Sequence, residues 1–512
     1  MGLATAAFAV WFVVRPLFAA RYPPMTDLPF HAASIAAIHG YGDASLHFKE
    51  QFSLHPFAIP YMSMYWIGSL FMYVVDVVTA TKIAAAVMLL LLPAGLAVLF
   101  VGMKKSASLG AMLGLAGVWC ALTHWGFLNF VGAVGLFAMA LGEALLVVDR
   151  PTRARRVALA VTLVVLFFTH VFRFPFAICA VVGAGVVCFP ATRRLRPLVS
   201  PMLPSLALFA VWWFVRPKAL EGGLGALTLH TERIHDVPRQ LVNGFLGDAE
   251  QASFGGLASA LVRVALVAAA IALVRGFVVE PAPRERLFRL GAAVAVACSA
   301  AVFFVMYLVL PMQIGAWWYV FPREATSAAF VALALFPDLP RAVILRAPLL
   351  LLIALPLAKI AGLVERDYAQ FDRATADFDR VTRTIPKAPK LLYLIFDHSG
   401  SMRANTPFIH LPAYVQATHG GWLSFHFAVW GASPVLYRDP SERGAVVPPP
   451  VPLRWEWMPQ RFDLKRQGPF FDWFLVRDVR PPDRIFQGDP SIARVDHAGE
   501  WWLFHRKPTA PR

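Results

Sequence analysis

Charged residues are scarce in this chain. Only 15% of its 512 residues are Asp, Glu, Lys or Arg, whereas a soluble globular domain carries about 25%. Hydrophobic residues make up 58% of the chain. Apolar runs close to the ~20 residues that a spanning helix needs recur from the N-terminus to about residue 361. The composition excludes an ordinary soluble protein and indicates an integral membrane protein.

Cysteine is also scarce. The four cysteines lie inside apolar runs, without C-x-x-C or Cys/His ligand spacing, at positions 120, 179, 188 and 298. They are typical of small core residues and leave the redox compartment open. A basic leader segment and a clear cleavage signal are lacking at the N-terminus, because the run "LATAAFAVWFVVRPLFAA" begins at residue 3. We therefore expect an uncleaved first helix.

Acidic residues are fewer than basic ones, with 31 Asp and Glu against 47 Lys and Arg and a net charge of +16. In a soluble protein this excess would favour nucleic-acid binding. Here most of it lies in short loops between apolar runs, where Lys and Arg set orientation and contact anionic lipid. The charge therefore predicts membrane lipid as a partner and no nucleic acid.

The fold predicted from this pattern is a polytopic α-helical membrane protein of about eleven spans with a small α/β domain at its C-terminus. Residues 1–361 form the membrane domain, 362–389 a linker, and 390–512 the α/β domain, which holds charge clusters, "VPPPVP" and many Trp but no spanning run. The predicted spans are 3–20, 77–102, 106–123, 127–148, 157–172, 174–190, 202–216, 257–279, 290–310, 325–337 and 342–361.

The run 56–75 is left out of the spans for reasons of charge and composition. If it lies in the plane of the interface, the basic loops all fall on one side, which the positive-inside rule makes the cytoplasm. Its prolines, tyrosines and Trp66 suit an interfacial helix. The chain is then expected to be a multi-pass protein of the plasma (inner) membrane. Its first loop, 21–76, and its C-terminal domain are expected on the extracytoplasmic side. The basic groups are Lys104/Lys105, Arg150–Arg156, Arg193–Arg196, Arg284–Arg289 and Arg341/Arg346.

The layout of polar residues around these spans resembles the GT-C superfamily of membrane glycosyltransferases, which includes protein mannosyltransferases and lipid A aminoarabinose transferases. "YPPMTDLPFHAA" places Asp27 where that family has an acidic residue after the first helix, and 56–75 matches an in-plane helix. "FFTHVFRFPF" offers His170 and Arg173 where the family has a basic residue. "THWGFLNF" departs from the family, with Asn129 in place of a second acidic residue.

This resemblance implies an inverting transfer of a sugar from a polyprenyl-phosphate donor to an extracytoplasmic glycan, lipid or protein. Asp27 would be the catalytic base, and Arg173, His170 and Arg323 would hold the donor phosphate. His31, four residues after Asp27, would orient its carboxylate or share a divalent metal ion with it. No other cofactor is implied.

Asn129 is included as a substrate-binding residue, although an amide cannot serve as a base or as a strong metal ligand. The layout covers about residues 1–200, and the rest of the chain matches only by helix count and by its C-terminal domain.

Other interpretations of these residues remain open from the sequence. Asp27 before Leu-Pro is also a good helix N-cap, and Arg323 with Glu324 also fits an interfacial ion pair. Intramembrane His170 and Arg173 would suit a transporter of a lipid-linked or small polar solute.

The motif "LIFDHSGSM" places Asp397, Ser399 and Ser401 in the D-x-S-x-S order of a metal-binding adhesion domain. It also fits a turn after a strand, followed by a helix at "PFIHLPAYVQATHGG" and a strand at "WLSFHFAVW". "FFDWFLVRD" and "GEWWLFHRK" are expected to be the closing strands of the domain. The alternatives to a transferase are thus the transporter and a membrane-anchored adhesion or scaffold protein.

Overall fold

A computed structural model describes residues 2–57, 59–216, 227–242, 244–276, 282–315, 317–400, 405–431, 433–452 and 454–507. Most of the described chain is helical. The helices are α1 Gly2–Phe18, α2 Leu28–His39, α3 Phe48–Gln51, α4 Ser63–Phe71, α5 Val77–Gly102, α6 Ala107–Gly114, α7 Ala121–Trp125, α8 Leu128–Asp149, α9 Arg153–Thr169, α10 Phe174–Thr192, α11 Val199–Val215, α12 Val237–Val242, α13 Asp248–Gly276, α14 Pro283–Val309, α15 Val320–Ala332, α16 Val343–Thr382, α17 Ala413–His419 and α18 Leu464–Gln467. The strands are β1 Phe52–Leu54, β2 Gln313–Ile314, β3 Trp317–Trp318, β4 Lys390–Ile395, β5 Trp422–Leu423, β6 Val435–Tyr437, β7 Trp473–Arg477, β8 Ile492–Ala498 and β9 Trp501–Arg506.

The protein is a multi-pass membrane protein. Within the described residues, seven helical segments are long and apolar enough to cross a bilayer, against the eleven spans expected: α5, α8, α10, α11 with the short turn before it, α13, α14 and α16. The other four predicted spans are α1, α6, α9 and α15, with 17, 8, 17 and 13 residues. At 1.5 Å per residue these four are short for a hydrocarbon layer ~30 Å thick.

Contacts between the predicted basic loops lie at one end of the membrane domain. The backbone amide of Ser106, just before α6, donates to the Asp338 carboxylate. The Lys105 side chain donates to the carbonyl of Ala334, just after α15. Both bonds lie at the end of the membrane domain that carries the basic loops. The same end holds the ion pair of Lys104 with Asp149, at 3.2 Å, and the bond from Arg284 to the carbonyl of Ala191. The predicted basic loops therefore gather at one end of the bundle.

The opposite end carries the first loop and the C-terminal domain. Backbone bonds join Thr26 to His124 and Met62 to Phe168, so the loop, the "THWG" turn and the end of α9 meet there. Only the nine residues of α4 are helical within 56–75. The chain therefore stays at this end between α1 and α5, as the parity of the basic loops requires.

A single 40-residue helix, α16, connects the membrane domain to the C-terminal domain. It runs through residue 361 and covers most of 362–389, the segment expected to be a linker. Beyond the membrane its buried face packs on both neighbours: Phe378 contacts Tyr22 of the first loop and Trp501 of β9. The two parts of the chain are thus joined by a rigid element with an apolar face.

The C-terminal region contains a mixed sheet. Among the described residues its strand order is β5-β4-β7-β9-β8, in which β4 is parallel to β5 and β7 while β9 is antiparallel to β7 and β8. The unit β4-α17-β5 is the β-α-β unit expected from the sequence, and the two expected closing strands are β7 and β9. The strand β8, "IARVDHA", is buried only at its two ends and was not predicted from the sequence.

The first loop and the C-terminal domain form one layer, which we call the cap (the described residues of 19–76 and 384–507). β1 pairs antiparallel with β6, with Phe52 opposite Tyr437. The Gln51 side chain donates to the carbonyl of Gly421 at 2.8 Å, and the Gly421 amide donates to Leu46. Helices α2 and α17 pack within one apolar cluster. The first loop and the C-terminal domain therefore share an apolar core.

Asp397, at the end of β4, lies in a turn and in an ion pair. Its Oδ1 accepts from the Gly400 amide at 3.0 Å, and its Oδ2 lies 2.9 Å from the Arg477 guanidinium. Ser401 falls outside the described residues, and within them no group of three His, Cys, Asp or Glu side chains could hold a metal ion. The structure therefore shows the turn expected after β4.

Candidate functional site

A cavity of about 960 Å³ lies between the cap and the end of the membrane domain. Its walls come from the start of α2, the "THWGFLN" turn, the end of α9, the β2–β3 hairpin, α15 and three segments of the C-terminal domain. The polar and charged residues that line it are Thr26, Asp27, His31, Tyr61, Tyr65, Asn129, His170, Gln313, Arg323, His410, Ser433, Arg454 and Glu456. Tryptophan and phenylalanine dominate the remaining surface, with Trp125, Phe127, Phe130, Trp317, Trp318, Phe425, Phe427, Trp430 and Trp457.

Asp27 precedes α2, but its carboxylate is not used as a helix cap. Among the described residues the side chain makes no cap hydrogen bond, and Pro29 in the first turn lacks the N–H that a cap would bind. Instead Oδ1 of Asp27 lies 3.3 Å from Nδ1 of His410. The Asp27 amide donates to the carbonyl of Trp125 at 3.0 Å. These contacts hold the carboxylate at the cavity wall, where it is 16% exposed.

Gly126 allows the "THWG" turn to approach Asp27. Its φ of +92° is in the region that favours glycine, and a Cβ at this position would lie 3.0 Å from Cβ of Asp27. A side chain here would therefore be strained and would press on the carboxylate. The Gly126 carbonyl is also used, because it lies 3.0 Å from Nε2 of His31.

His31 lies on the same face of α2 as Asp27, as the i, i+4 spacing predicts, but its ring nitrogens have other partners. Nε2 donates to the Gly126 carbonyl, which leaves Nδ1 to accept from the Tyr65 hydroxyl at 2.9 Å. Burial lowers the pKa of His31, against an opposing effect of Asp27. A neutral ring with both nitrogens occupied neither orients Asp27 nor supplies a metal ligand in this conformation.

Arg323 is the cation that α15 brings to the cavity. Its Nε donates to the carbonyl of Tyr319 at 3.1 Å, one NH2 donates to Trp318 at 2.9 Å, and the guanidinium lies 4.0 Å from the centre of the Phe127 ring. In the part of the chain described, no carboxylate lies within ion-pair distance of it. Glu324, its neighbour in sequence, pairs with another residue, so the guanidinium is positioned by carbonyls and keeps its charge for a ligand.

Asn129 and His170 line the same side of the cavity as Arg323. The Asn129 amide nitrogen lies 3.4 Å from the carbonyl of Tyr61, and its Oδ1 has no hydrogen-bond partner among the described residues. The His170 ring packs edge-on against Tyr61 and Phe130, at 4.9 and 5.3 Å. Nδ1 of His170 is likewise unpaired within the described chain. Both residues therefore have polar atoms left to bind a ligand or water.

Arg173 is not among the residues that line the cavity. It is 2% exposed, donates to Glu324 and to Ser327 at 2.8 Å each, and lies over the rings of Phe130 and Phe303. The charge of Arg173 is thus matched by Glu324 inside the membrane domain. Of the site residues predicted from sequence, the structure brings Asp27, His31, Asn129, His170 and Arg323 together and leaves Arg173 beneath them.

The cavity also contains residues that sequence reasoning missed. His410, Arg454, Glu456 and Trp457 come from the C-terminal domain. Burial raises the pKa of Glu456, while the charges of His410 and Arg454 act in the opposite direction. No motif marks these positions, because His410 is separated from Asp27 by more than 380 residues and only tertiary packing brings them together.

The overall structure is similar to that of ArnT from Cupriavidus metallidurans, solved bound to undecaprenyl phosphate. The similarity covers 98% of this chain and 97% of that chain, with a TM-score of 0.48 and 14% sequence identity. No protein-family model and no curated protein matches the sequence. A likeness of this size concerns the layout of the fold and does not assign a ligand or an activity to this chain.

Proposed function

We propose that the protein is a membrane glycosyltransferase that moves a sugar from a polyprenyl-phosphate donor to an extracytoplasmic glycan, lipid or protein. The observation that carries this proposal is the cavity itself. One wall presents the carboxylate of Asp27, which does not cap α2. Another presents a cation, Arg323, which has no carboxylate partner among the residues that the structure describes.

The position of the cavity suits a lipid-linked substrate. It lies where the ends of the membrane helices meet the cap, and Trp125, Trp317 and Trp318 line it there. Tryptophan is enriched at this depth because its ring is amphipathic. A polyprenyl phosphate would place its tail among the helices and its charged head at the same level, beside Arg323.

The charges of Asp27 and Arg323 suit the two requirements of glycosyl transfer, removal of a proton and departure of a phosphate. Attack by an acceptor hydroxyl on the anomeric carbon forms a C–O bond as the bond to the donor phosphate breaks. The hydroxyl must lose a proton, for which Asp27 and its neighbours are placed, and the phosphate leaves with the bonding electrons. Arg323 stabilises the leaving phosphate, with His170 and Asn129 as polar contacts. A single displacement of this kind inverts the anomeric centre.

The residues present do not favour a metal-dependent reaction. The two side chains expected to share a divalent ion are Asp27 and His31, and the ring nitrogens of His31 are used by Tyr65 and Gly126. We therefore assign the stabilisation of the leaving phosphate to Arg323 and derive no step through a metal.

Replacing the Asp27 carboxylate tests this proposal. We expect Asp27→Asn to reduce transfer by at least about 100-fold, since an uncharged amide can neither accept the proton nor stabilise its transfer to a neighbouring group. Asp76→Asn is the matched control, because Asp76 also precedes a helix in the same loop but caps it, accepting from Val78 and Thr79. Asn is itself a good cap, so the control should keep full activity.

The measurement is a mass profile of cell-envelope glycans and lipid-linked sugars. Cells lacking the protein are complemented with wild type, Asp27→Asn or Asp76→Asn. Loss of one defined sugar, restored by wild type and by the control alone, supports the proposal and identifies the sugar. An identical profile in all strains contradicts a transferase.

A further inference from the structure

His410 of the C-terminal domain is in direct contact with Asp27. Nδ1 of His410 lies 3.3 Å from Oδ1 of Asp27 and 3.2 Å from the carbonyl oxygen of Thr26. A carbonyl oxygen and a carboxylate oxygen can only accept hydrogen bonds, so Nδ1, which faces both, must carry the proton, and it donates to the Thr26 carbonyl. This fixes the tautomer of the ring, and in a neutral His410 the lone pair lies on Nε2.

Nε2 of His410 has no hydrogen-bond partner among the described residues. The residue is 5% exposed and lines the cavity. Leaving a buried polar atom without a hydrogen-bond partner is unfavourable. Such an atom in a cavity wall is therefore expected to have its partner in the ligand.

The orientation of the ring is held by packing. The ring centres of Phe30 and Phe427 lie 4.6 and 5.5 Å from that of His410, and Phe425 stacks on it at 6.3 Å. Phe30 belongs to the first loop and the other two to the C-terminal domain. His410 can therefore not turn away from Asp27 without rearranging both parts of the cap.

Three titratable groups act on His410 from the elements packed against it. Asp27 contacts Nδ1, as described. Glu456, in a neighbouring segment of the cavity wall, interacts with His410 through its charge, and so does His398, in the turn after β4. Two carboxylates and one further imidazole are thus close enough to His410 to interact with it electrostatically.

We propose that His410 is the group that takes the proton from the acceptor hydroxyl, through Nε2, and that Asp27 holds the ring and stabilises the imidazolium. This inference rests on the proposed transferase function. The acceptor oxygen forms its bond to the anomeric carbon, the bond to phosphate breaks, and the polyprenyl phosphate departs with the electron pair. The acceptor proton passes to Nε2 of His410.

The arrangement favours this assignment over proton transfer to Asp27 itself. Oδ1 of Asp27 faces the Nδ1–H of His410 at 3.3 Å, so the carboxylate is placed to hold the ring. An imidazole is ordinarily much more basic than a carboxylate and is therefore the better proton acceptor near neutral pH. The pairing of a carboxylate with Nδ1–H and a free Nε2 is the one that serine hydrolases use for the same purpose.

His410→Asn separates the two roles of the ring. The Asn amide nitrogen can take the place of Nδ1 and donate to Asp27, but nothing replaces Nε2. We expect transfer by the purified protein to fall by about 100-fold or more, with the affinity for polyprenyl phosphate unchanged. His426→Asn is the control, because His426 is equally buried in the C-terminal domain but does not line the cavity. Near-normal transfer by the His410→Asn variant would overturn the proposal.

His410→Ala provides a second test. The space left by the ring would admit N-methylimidazole, which accepts a proton but cannot donate a hydrogen bond to Asp27. Renewed transfer that increases as the added base loses its proton supports the proposal, whereas rescue that does not depend on the protonation of the added base overturns it. Thermal unfolding of each purified variant establishes that it is folded. If wild type itself transfers no sugar, the proposed function fails; if only the His410 results disagree, the function stands without this role.

Discussion

Two contacts between distant segments hold charged side chains in and beneath the cavity: Asp27 with His410, and Arg173 with Glu324. Asp27 has the sequence context of a helix cap, yet its carboxylate contacts His410 in another part of the chain. Arg323 and Glu324 are adjacent, yet Glu324 pairs with Arg173. In both cases the type of residue was informative, and the partner was decided by packing between distant segments.

Arg173 illustrates the cost of a charge inside the membrane domain. An unpaired guanidinium there would be strongly unfavourable, which is why ionisable residues in apolar runs suggest function. The structure meets this cost with Glu324 and Ser327. A phosphate at Arg173 would have to displace Glu324, so of the two arginines Arg323 is the one that fits the proposed phosphate contact.

At the residue scale we predict that Arg323→Ala weakens the binding of polyprenyl phosphate by about 10- to 100-fold, the effect of losing a charged hydrogen-bond donor. The measurement is a titration of the purified protein with the lipid. Arg233→Ala is the control: Arg233 also donates to two backbone carbonyls and lies over a ring, Phe321, but outside the cavity. Equal affinities for wild type and Arg323→Ala would remove Arg323 from the phosphate site.

At the scale of elements, the membrane domain depends on close helix packing at glycines. A Cβ on Gly95 of α5 would lie 2.0 Å from the carbonyl oxygen of Gly135 on α8, and one on Gly142 would lie 2.6 Å from Cα of Leu99. Small residues let helix backbones approach in membranes, where the hydrophobic effect does not drive association. This contact positions α8, whose first turn carries Asn129 into the cavity.

We predict that Gly95→Ala lowers stability by at least about 2 kcal/mol, because a carbonyl oxygen of the facing helix cannot move aside as a side chain can. Gly183→Ala is the control, since a Cβ there would meet no described atom within 4 Å. It should leave stability unchanged or slightly higher, because Ala favours the helix over Gly by up to about 1 kcal/mol. Thermal unfolding in detergent makes the comparison; equal unfolding temperatures for the two variants would contradict the close contact.

Helix lengths were the weakest part of the sequence interpretation. Hydropathy located the apolar segments well. For example, the predicted span 77–102 has the same first and last residues as α5. It did not show that α6 ends at Gly114 or that α16 continues to Thr382. An apolar run reports a preference for lipid or core, whereas the end of a helix depends on caps and on the surfaces against which it packs.

At the scale of the whole molecule, the cap is built from two distant parts of the chain. β1 in the first loop pairs with β6 in the C-terminal domain, and the catalytic pair proposed above is divided between the same two parts. The cavity is therefore complete only when both are in place. Variants that weaken the cap should affect transfer even when they lie far from Asp27.

The arrangement also makes a prediction about sidedness. We expect cysteines at positions 74 and 479, which replace valines that are 76% and 69% exposed, to react with an impermeant maleimide in intact cells. A cysteine in place of Arg153, in a basic loop, should react only after the cells are lysed. The four native cysteines are first replaced. As a control, the cysteines at all three positions should be labelled in denaturant, which shows that each one reacts when the maleimide can reach it.

Two outcomes would contradict this topology. If positions 74 and 479 were labelled from opposite sides, the 56–75 segment would span the membrane. If both were labelled only after lysis, the cap and its cavity would face the cytoplasm, and an extracytoplasmic acceptor would be excluded.

The sequence by itself determined the class of protein, the positions of the apolar segments, the parity of the basic loops and several polar residues of the cavity. These follow from composition and from local patterns, since transfer from water to lipid is a property of each segment. Only the tertiary structure decided which of those residues meet. In the structure Arg173 pairs with Glu324, Arg323 has no carboxylate partner among the described residues, and His410 contacts Asp27. Contacts between segments hundreds of residues apart are set by packing, which leaves no periodic signal in the sequence.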